Sequence, residues 1–512
     1  MKLSKCATVF LILFLSFGKV CAQSYTLITY NVENLFDADG VAVFNDYKPY
    51  DINGQPQYTK KDVLTKIHHI TKVLKKYDSG RGPDIILFEE LEGDFTPKGQ
   101  RHHVDVKSFL KKYSGTTLSH MLGSGFNKTI RNLPSELLLL KGMADAGLTG
   151  YDYRVGYSRL TKNGRPRHVQ KCGVFTRFPI EKGKTRIHPI KNARPILEVW
   201  LTIKGHNLIV FANHWKAGAS SYRLEQTRIA DARVLRKRLN ILLHQNPNID
   251  FIVGGDFNSS YNQLTVLPKL NKSAINTVLK STGNEELVDH DHTRKIYNLW
   301  YELPLNKRGS EVYHGYWSTL IEIMLSPGMY DYNGIQYVDN SFKVGSYKGL
   351  NVEPFSNAPE RWTSIGSGKG FSDHFPVSMK FRVVSDNNPQ KKLELKNPGH
   401  NDDNIWKPIP VKYPVPQKSE VFTLQKLGNA NIRKVKYYDE LFYLEKPVSI
   451  NKKVVVNGKK YQLYSGNREV IQLIRRFAGK SEKMHFYGRL SKYRNKWEFV
   501  IDTPKYIVNQ NN

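Results

Sequence analysis

Carboxylate, imidazole and amide side chains fall in five short clusters: Asn31, Glu89-Glu90, Asn213-His214, Asp256-Phe257-Asn258 and Ser372-Asp373-His374. Hard oxygen ligands such as Glu90 suit Mg²⁺ or Mn²⁺. An imidazole such as His374 titrates near neutral pH, which suits a general base. Each cluster alone is weak evidence for a catalytic site. For example, an Asp-x-Asn after a strand is more often a helix cap or an Asx-turn than a catalytic pair.

The clusters follow segments with the pattern of buried strands. Apolar runs at 25–30, 83–88, 207–212 and 251–253 predict strands, and each ends in polar residues. Helical spacing of apolar residues, for example over 221–243, alternates with these runs. The pattern predicts a mixed α/β domain with a site built at strand ends.

In this order the clusters resemble the endonuclease/exonuclease/phosphatase superfamily, and the resemblance covers nearly all of residues 25–381. The segments that carry it are 30–37, 83–90, 173–180, 213–214, 255–258 and 372–374. The resemblance implies a four-layer sandwich of two packed β-sheets flanked by helices. It also implies a metal-dependent hydrolase that cleaves phosphate esters by direct attack of water.

The resemblance further implies roles for individual residues. Glu90 would be a metal ligand, and Asn31 and Asp373 would lie beside the ion. The ion would be Mg²⁺ or Mn²⁺. The number of ions that act stays open. Catalytic residues would be His374 as base, Asp256 and Asn258 orienting the water, and His214 contacting the phosphate or leaving group.

One position departs from the family pattern. Family members carry an Asp that orients the catalytic His, on a strand before the last motif, and Ile321 stands there. We expect that Glu322 or a water partly replaces this carboxylate, although side chains alternate faces along a strand and Glu322 would need a bulge. Loss of such a carboxylate can cost about 10⁴-fold in rate.

The charge of the chain favours polyanionic partners. The 512 residues hold 77 Lys and Arg against 46 Asp and Glu, a formal net charge of +31. Nucleic acid, anionic lipid and acidic polysaccharide are the candidate partners. With 40% apolar and 12% aromatic residues the chain can bury cores, which excludes global disorder and a collagen-like fibre.

Residues 1–22 predict a signal peptide, with Lys2 and Lys5 before an uncharged run and small residues near Ala22. A lipoprotein modification at Cys21 is the alternative. Export would make the protein secreted or periplasmic, with a bacterial source favoured, and would leave Cys172 as the single cysteine. No stable membrane insertion is expected, because no later run of about 18 apolar residues occurs.

Composition predicts two domains. Segment 385–419 is rich in Pro and predicts a linker between a catalytic domain at 23–384 and a small basic domain at 420–512. From 421 onward the chain has 19 Lys and Arg against 7 Asp and Glu.

A β-α-β pattern makes the small domain resemble an oligonucleotide/oligosaccharide-binding (OB) barrel over about 430–508. Such barrels bind single strands through a basic groove and aromatic stacking platforms. Tyr493, Arg494 and Lys496 are the candidate contacts, while at least half of the aromatic residues are expected to be core.

The sequence therefore predicts an exported metal-dependent phosphodiesterase, with DNA or RNA as the expected substrate. A lipid phosphodiesterase or phosphatase, similar to sphingomyelinases, is one alternative, for which no convincing apolar membrane-facing loop is visible. A catalytically impaired nucleic-acid-binding protein is the other. The sequence leaves the oligomeric state open.

Overall fold

A computed structural model describes residues 23–52, 54–96, 103–284, 288, 294–313, 315–362, 368–384, 386–396, 408–445, 448–450, 453–477, 484–493 and 496–508. The predicted signal peptide and Arg494 lie outside these residues. No helix among the described residues is long and apolar enough to cross a bilayer.

The described residues before the C-terminal domain form these strands: β1 (Ser24–Leu35), β2 (Ile85–Glu92), β3 (Asp152–Val155), β4 (Gln170–Thr176), β5 (Arg186–Ile190), β6 (Ala193–Ile203), β7 (His206–His214), β8 (Phe251–Asp256), β9 (Ser281–Thr282), β10 (Ile296–Asn298), β11 (Glu311–Tyr313), β12 (Tyr316–Ser318), β13 (Ile321–Leu325), β14 (Asp331–Tyr332), β15 (Ile335–Tyr337), β16 (Lys343–Val344), β17 (Val377–Val383) and β18 (Asn388–Lys392). The helices are α1 (Lys60–Leu74), α2 (Val106–Lys112), α3 (Leu118–Leu122), α4 (Lys128–Arg131), α5 (Ser135–Asp145), α6 (Tyr222–Gln245) and α7 (Gln263–Val266), with a π-helix at Ala274–Val278.

Two seven-stranded sheets form the centre of this domain. The first has the order β15-β17-β1-β2-β4-β3 with β16 beside β17, and the second has the order β5-β6-β7-β8-β13-β10-β9. Alternation along β1 divides its side chains between two cores: Leu27 packs between the sheets, while Ile28 packs toward α1 and α5. On the other side, Leu235 and Leu239 of α6 cover the second sheet. These four layers confirm the predicted sandwich.

Parallel pairing brings the polar strand ends together. β1 pairs with β2, and β7 pairs with β8, both in parallel. Asn31 thus lies opposite Glu89, just before the register shift in this pairing, and His214 lies opposite Asp256 at the last residues of β7 and β8. Only glycine fits at position 255, since a Cβ there would lie 2.0 Å from the Asn213 carbonyl oxygen.

The C-terminal domain forms one eight-stranded sheet with its own core. Its strands are β19 (Phe422–Thr423), β20 (Leu441–Leu444), β21 (Val448–Ile450), β22 (Lys453–Val456), β23 (Lys459–Tyr464), β24 (His485–Tyr493), β25 (Lys496–Val500) and β26 (Ile507–Val508), with helices α8 (Leu424–Leu427) and α9 (Arg468–Phe477). The order β19-β20-β24-β25-β23-β22-β21, with β26 beside β24, is that of an open sheet. The predicted barrel closure is therefore not confirmed within the described strands.

The segment predicted as a linker makes contacts with the first domain. β18 pairs with β14, beyond the predicted boundary at residue 384. Further along, Trp317 donates its backbone N–H to the Ile409 carbonyl, at 2.8 Å. The C-terminal domain also contacts the first domain directly, because Lys492 Nζ lies 2.9 Å from Asp51 Oδ2.

A buried ion cluster ties α6 to the outer strands of the second sheet. Glu198 on β6 accepts hydrogen bonds from Arg238 on α6 at 2.7 and 2.8 Å, and from Trp200 at 2.7 Å, while His188 on β5 lies 2.6 Å away. Burial alone would raise the pKa of Glu198, but the hydrogen bonds from these three partners lower it to about 2.

Substitution of Glu198 tests this cluster. Because the folded pKa lies below the ordinary value of 4.5, ionised Glu198 stabilises the fold above that pH, and the contribution is lost as the pH falls toward 2. Glu198→Gln should lower the free energy of unfolding at pH 7 by about 3 kcal/mol. Urea titrations at pH 7 and at lower pH measure this change.

Glu445→Gln is the control, since its partner Lys418 is 58% exposed and Glu445 is 45% exposed. Exposed pairs contribute little, so no measurable change is expected. A similar effect of both substitutions would contradict the assignment.

Candidate active site

The strand ends place all seven predicted catalytic and metal-binding residues in one site. Asn31 Nδ2 donates to Asp256 Oδ2 at 3.0 Å, which joins the two sheets. His214 Nε2 lies 3.6 Å from Asp256 Oδ2 and 3.7 Å from Glu90 Oε1. The backbone N–H of Asn258 donates to Asp256 Oδ1 at 2.8 Å. The last two residues, Asp373 and His374, enter from the loop before β17.

Local backbone irregularities aim these side chains. The pairing of β1 with β2 shifts between Asn31 and Leu35, and that of β2 with β4 shifts between Phe88 and Leu91. Glu90 has φ 66° and Asn258 has φ 48°, a conformation that non-glycine residues rarely adopt. Bulges and positive φ angles of this kind redirect side chains at functional sites.

Glu90, His214 and Asp256 form a cluster that fits a divalent cation. Each offers one ligand atom, and these atoms lie within 4.8 Å of one another. Burial, Arg194 and His374 lower the pKa of His214 well below its ordinary value, so the imidazole is neutral, as a metal ligand must be. Burial raises the pKa of Glu90 to about 7, and the carboxylate of Asp373 adds to the rise. A cation would relieve this repulsion.

The cluster differs in membership from the predicted ligand set of Glu90, Asn31 and Asp373. Asn31 bridges the carboxylates through its amide, and its oxygen accepts from the Glu33 N–H at 2.9 Å. Asp373 lies beside His374, and its Oδ1 is 3.5 Å from His374 Nε2. The geometry therefore groups Glu90 with two residues for which the sequence predicts catalytic roles.

The carboxylate partner of His374 is Glu311, which sequence reasoning missed. Glu311 Oε2 lies 3.3 Å from His374 Nδ1. Its other oxygen accepts from Ser318 Oγ at 2.6 Å and from the Leu320 N–H at 2.9 Å, which fixes the carboxylate. Burial lowers the His374 pKa, but the carboxylates of Asp373, Glu311 and Asp256 outweigh it and hold that pKa well above the ordinary value.

The expected substitute, Glu322, does not reach the histidine. It is buried and accepts from Asn298 Nδ2 at 2.5 Å, while Ile321 is fully buried in the core between the sheets. β13 thus keeps its regular alternation, and the carboxylate comes from the β11–β12 hairpin. A Ser-Glu pair at 310–311, 63 residues before His374, carries no local signal of this role.

Arg361 is a second residue that the sequence did not indicate. Its guanidinium donates to Glu33 Oε1 at 2.6 and 3.0 Å and lies 3.5 Å from Asp373 Oδ2. The side chain is 66% exposed, although Glu33 is buried. A fixed positive charge therefore stands at the mouth of the site.

An acidic cleft of about 450 Å³ borders the site on the side of the C-terminal domain. Its basic residues are paired: Arg361 as above, Lys369 with Glu440, and Arg489 with Asp439 and Asp502. Its other acidic lining residues are Glu353, Glu360 and Asp373. The lining away from Arg361 thus carries more acidic than basic side chains, which disfavours the binding of further phosphate groups there.

Two of the predicted nucleic-acid contacts, Tyr493 and Lys496, lie on strands of the C-terminal domain, while Arg494 lies outside the described residues. Tyr493 is 60% exposed and pairs with exposed Lys496 at the tip of the β24–β25 hairpin. Other aromatic residues of the domain, such as Tyr461 and Phe486, belong to its core, as expected for at least half of them.

Comparison with protein-family models finds a match over part of the chain. Residues 177–383 match the model of the endonuclease/exonuclease/phosphatase family. This part of the chain is therefore similar to that family, in agreement with the resemblance that the motifs carry. Asn31 and Glu90 precede the matched segment, and the fold brings them to it.

Several solved structures are similar to the chain. A family protein from Bacteroides thetaiotaomicron has 15% identity over 72% of this chain and 98% of that chain, with a TM-score of 0.38. One from Leptotrichia buccalis has 12% identity over 70% and 100% of the two chains, with a TM-score of 0.38. D. rerio TDP2, complexed with a single-strand DNA product, has 12% identity over 70% and 99%, with a TM-score of 0.35. No curated protein matches the chain.

Substitution of Glu311 tests its pairing with His374. Glu311→Gln should lower kcat for bis(p-nitrophenyl) phosphate by about 10²- to 10⁴-fold, because the imidazole loses the charge that orients it. Ile321→Asp should bring no gain and should destabilise the protein, since it buries a carboxylate in an apolar core.

Glu322→Gln is the matched control, because Glu322 on β13 is also a buried carboxylate and lies only eleven residues further along the chain. Glu322→Gln should hydrolyse bis(p-nitrophenyl) phosphate at the rate of the unchanged protein. If Glu322→Gln were slow and Glu311→Gln fast, Glu322 and not Glu311 would be the partner of His374.

Metal binding can be measured without turnover. Glu90→Gln should weaken Mn²⁺ binding in calorimetry by at least about tenfold, through loss of a charged ligand. Asp373→Asn should have the smaller effect, because Asp373 lies outside the Glu90–His214–Asp256 cluster. The opposite ranking would favour the ligand set that the sequence predicts.

Proposed function

We propose that the chain is an exported, Mg²⁺-dependent phosphodiesterase that hydrolyses nucleic acid by direct attack of water. The observation that carries the proposal is the His374–Glu311 pair facing the Glu90–His214–Asp256 cluster across a few ångströms. His374 Nε2 lies 3.9 Å from Asp256 Oδ2 and 3.5 Å from Asp373 Oδ1. A base, a cation site and an exposed guanidinium thus surround one reaction volume.

His374 would accept the proton of the attacking water at Nε2. Glu311 at Nδ1 keeps the ring oriented and stabilises the imidazolium that forms. Asp256 would orient the water, since Asn31 and the Asn258 N–H hold its carboxylate from two sides.

Glu90, His214 and Asp256 would hold the metal ion, with Mn²⁺ as a possible replacement for Mg²⁺. When bound, the ion supplies positive charge that polarises the phosphate ester and offsets the carboxylates around His374.

Arg361 would contact a non-bridging oxygen of the phosphate. Because Glu33 accepts from one edge of its guanidinium, the exposed group is held in place before substrate binds. Lys66 also lies in this region, but it is fully buried and donates to the Phe371 carbonyl.

Two features support nucleic acid as the substrate class. The chain is strongly basic, with a net charge of +31. The β24–β25 hairpin presents Tyr493 and Lys496, with Arg494 between them in sequence, which suits stacking and phosphate contacts.

Export is proposed on the sequence of residues 1–22 alone.

Lipid phosphodiesters are a second candidate substrate, which one surface loop favours. Val41, Val43, Phe44, Tyr50 and Ile52 are all exposed, and Ile52 is 83% exposed. This apolar loop lies next to the site, because Tyr47 donates to the Glu33 carbonyl at 2.8 Å. Exposed apolar groups of this kind mark interaction surfaces.

Incubation with defined substrates tests the function. Plasmid DNA, single-stranded RNA and sphingomyelin vesicles are supplied with Mg²⁺ or with a chelator, and products are separated on gels or by chromatography. Nucleic acid should be degraded with Mg²⁺ only, and His374→Ala should abolish the reaction.

Cleavage of vesicles alone would establish the lipid candidate. Salt-sensitive retention of DNA without any cleavage would instead indicate a binding protein with an inactive catalytic domain.

A further inference from the structure

A second cleft, lined by residues around β5 and β6, is basic, in contrast to the acidic cleft. It has a volume of about 590 Å³, within the range of ligand pockets at ~300–1,000 Å³. Arg159, Arg167 and His168 line it from the loop between β3 and β4, and Lys191 lines it from the turn between β5 and β6. Ile187 and Pro189 belong to its apolar wall.

All charged side chains that line this cleft are basic. Arg159, Arg167 and Lys191 are exposed, and among the described residues none has a carboxylate within ion-pair distance. This contrasts with the acidic cleft, where each basic residue has an acidic partner. Burial, Arg194 and Arg167 lower the pKa of His168, so it is a neutral donor or acceptor beside the arginines.

Arg194 connects the cleft to the catalytic cluster. Its neighbours Ala193 and Pro195 line the cleft. Its guanidinium donates to the His214 carbonyl at 2.9 Å and to Gln170 Oε1 at 3.1 Å. Arg194 thus joins the strand at the edge of the cleft to His214, whose Nε2 lies 3.7 Å from Glu90 Oε1 and 3.6 Å from Asp256 Oδ2.

We propose that this basic cleft binds the phosphate next to the scissile one in a nucleic-acid substrate. The inference rests on the proposed function and assigns the direction of the bound strand, away from the acidic cleft. Arg159 and Arg167 would contact phosphate oxygens through charge-assisted hydrogen bonds. The apolar wall at Ile187 and Pro189 would face the sugar or base, which carries no charge.

Two substrates separate this subsite from catalysis. Bis(p-nitrophenyl) phosphate carries one phosphate and cannot occupy the cleft, whereas a short single-stranded oligonucleotide can. Arg159→Ala and Arg167→Ala should each lower kcat/KM for the oligonucleotide by about tenfold, the value of one charge-assisted contact. Hydrolysis of bis(p-nitrophenyl) phosphate should stay unchanged.

Binding in EDTA supplies a second measurement that needs no turnover. The salt dependence of oligonucleotide affinity, followed by fluorescence anisotropy, should lose about one unit of slope in each variant, because one phosphate contact is removed.

Arg165→Ala is the matched control, because Arg165 is an exposed arginine of the same loop that does not line the cleft. Equal effects of Arg165→Ala and Arg159→Ala would show general attraction by charge and would overturn the subsite. Unchanged oligonucleotide cleavage in both cleft variants would overturn it while leaving the phosphodiesterase intact. Loss of bis(p-nitrophenyl) phosphate hydrolysis in the cleft variants would show damage to the catalytic centre instead, and would also count against the proposal.

Discussion

Carboxylates that meet at the ends of two packed sheets repel one another, and the rest of the site is arranged around this repulsion. Glu90 and Asp256 face each other across the sandwich, and burial raises the pKa of both, with the carboxylate of Asp373 adding to the rise at Glu90 and that of Glu311 to the rise at Asp256. The amide of Asn31 and the neutral imidazole of His214 stand between them. A divalent cation would supply the positive charge that offsets these carboxylates.

The same excess of negative charge determines how His374 is held. Three carboxylates raise its pKa although burial opposes them. Glu311 is the one of these that fixes the ring, because the backbone of Leu320 and two serines hold its oxygens. The carboxylate beside His374 Nδ1 therefore comes from the β11–β12 hairpin and not from position 321 on β13.

Charge is divided unequally around the catalytic centre. On the side of the C-terminal domain, basic residues are neutralised by carboxylates, and the cleft is acidic. On the side of β5 and β6, the lining charges are basic and unopposed. A chain with a net charge of +31 thus concentrates its attraction for phosphate on part of its surface, which makes the total charge a poor guide to where substrate lies.

The sequence by itself indicated a mixed α/β domain with polar clusters at strand ends. The resemblance that these motifs carry implied the sandwich architecture and the roles of the site residues, and parallel pairing brings the strand ends together. The hairpin of β22 and β23 and the helix α9 were also predictable, since the Asn457-Gly458 turn and helical spacing are local patterns. Tertiary structure alone decided that Glu311 and Arg361 join the site, because both reach it through contacts with residues far away in the sequence. It also decided that Asp256 and His214 group with Glu90, and that the two clefts differ in sign. Motifs specify which side chains end a strand, but only the packing of loops against the sheets specifies which charges then face one another.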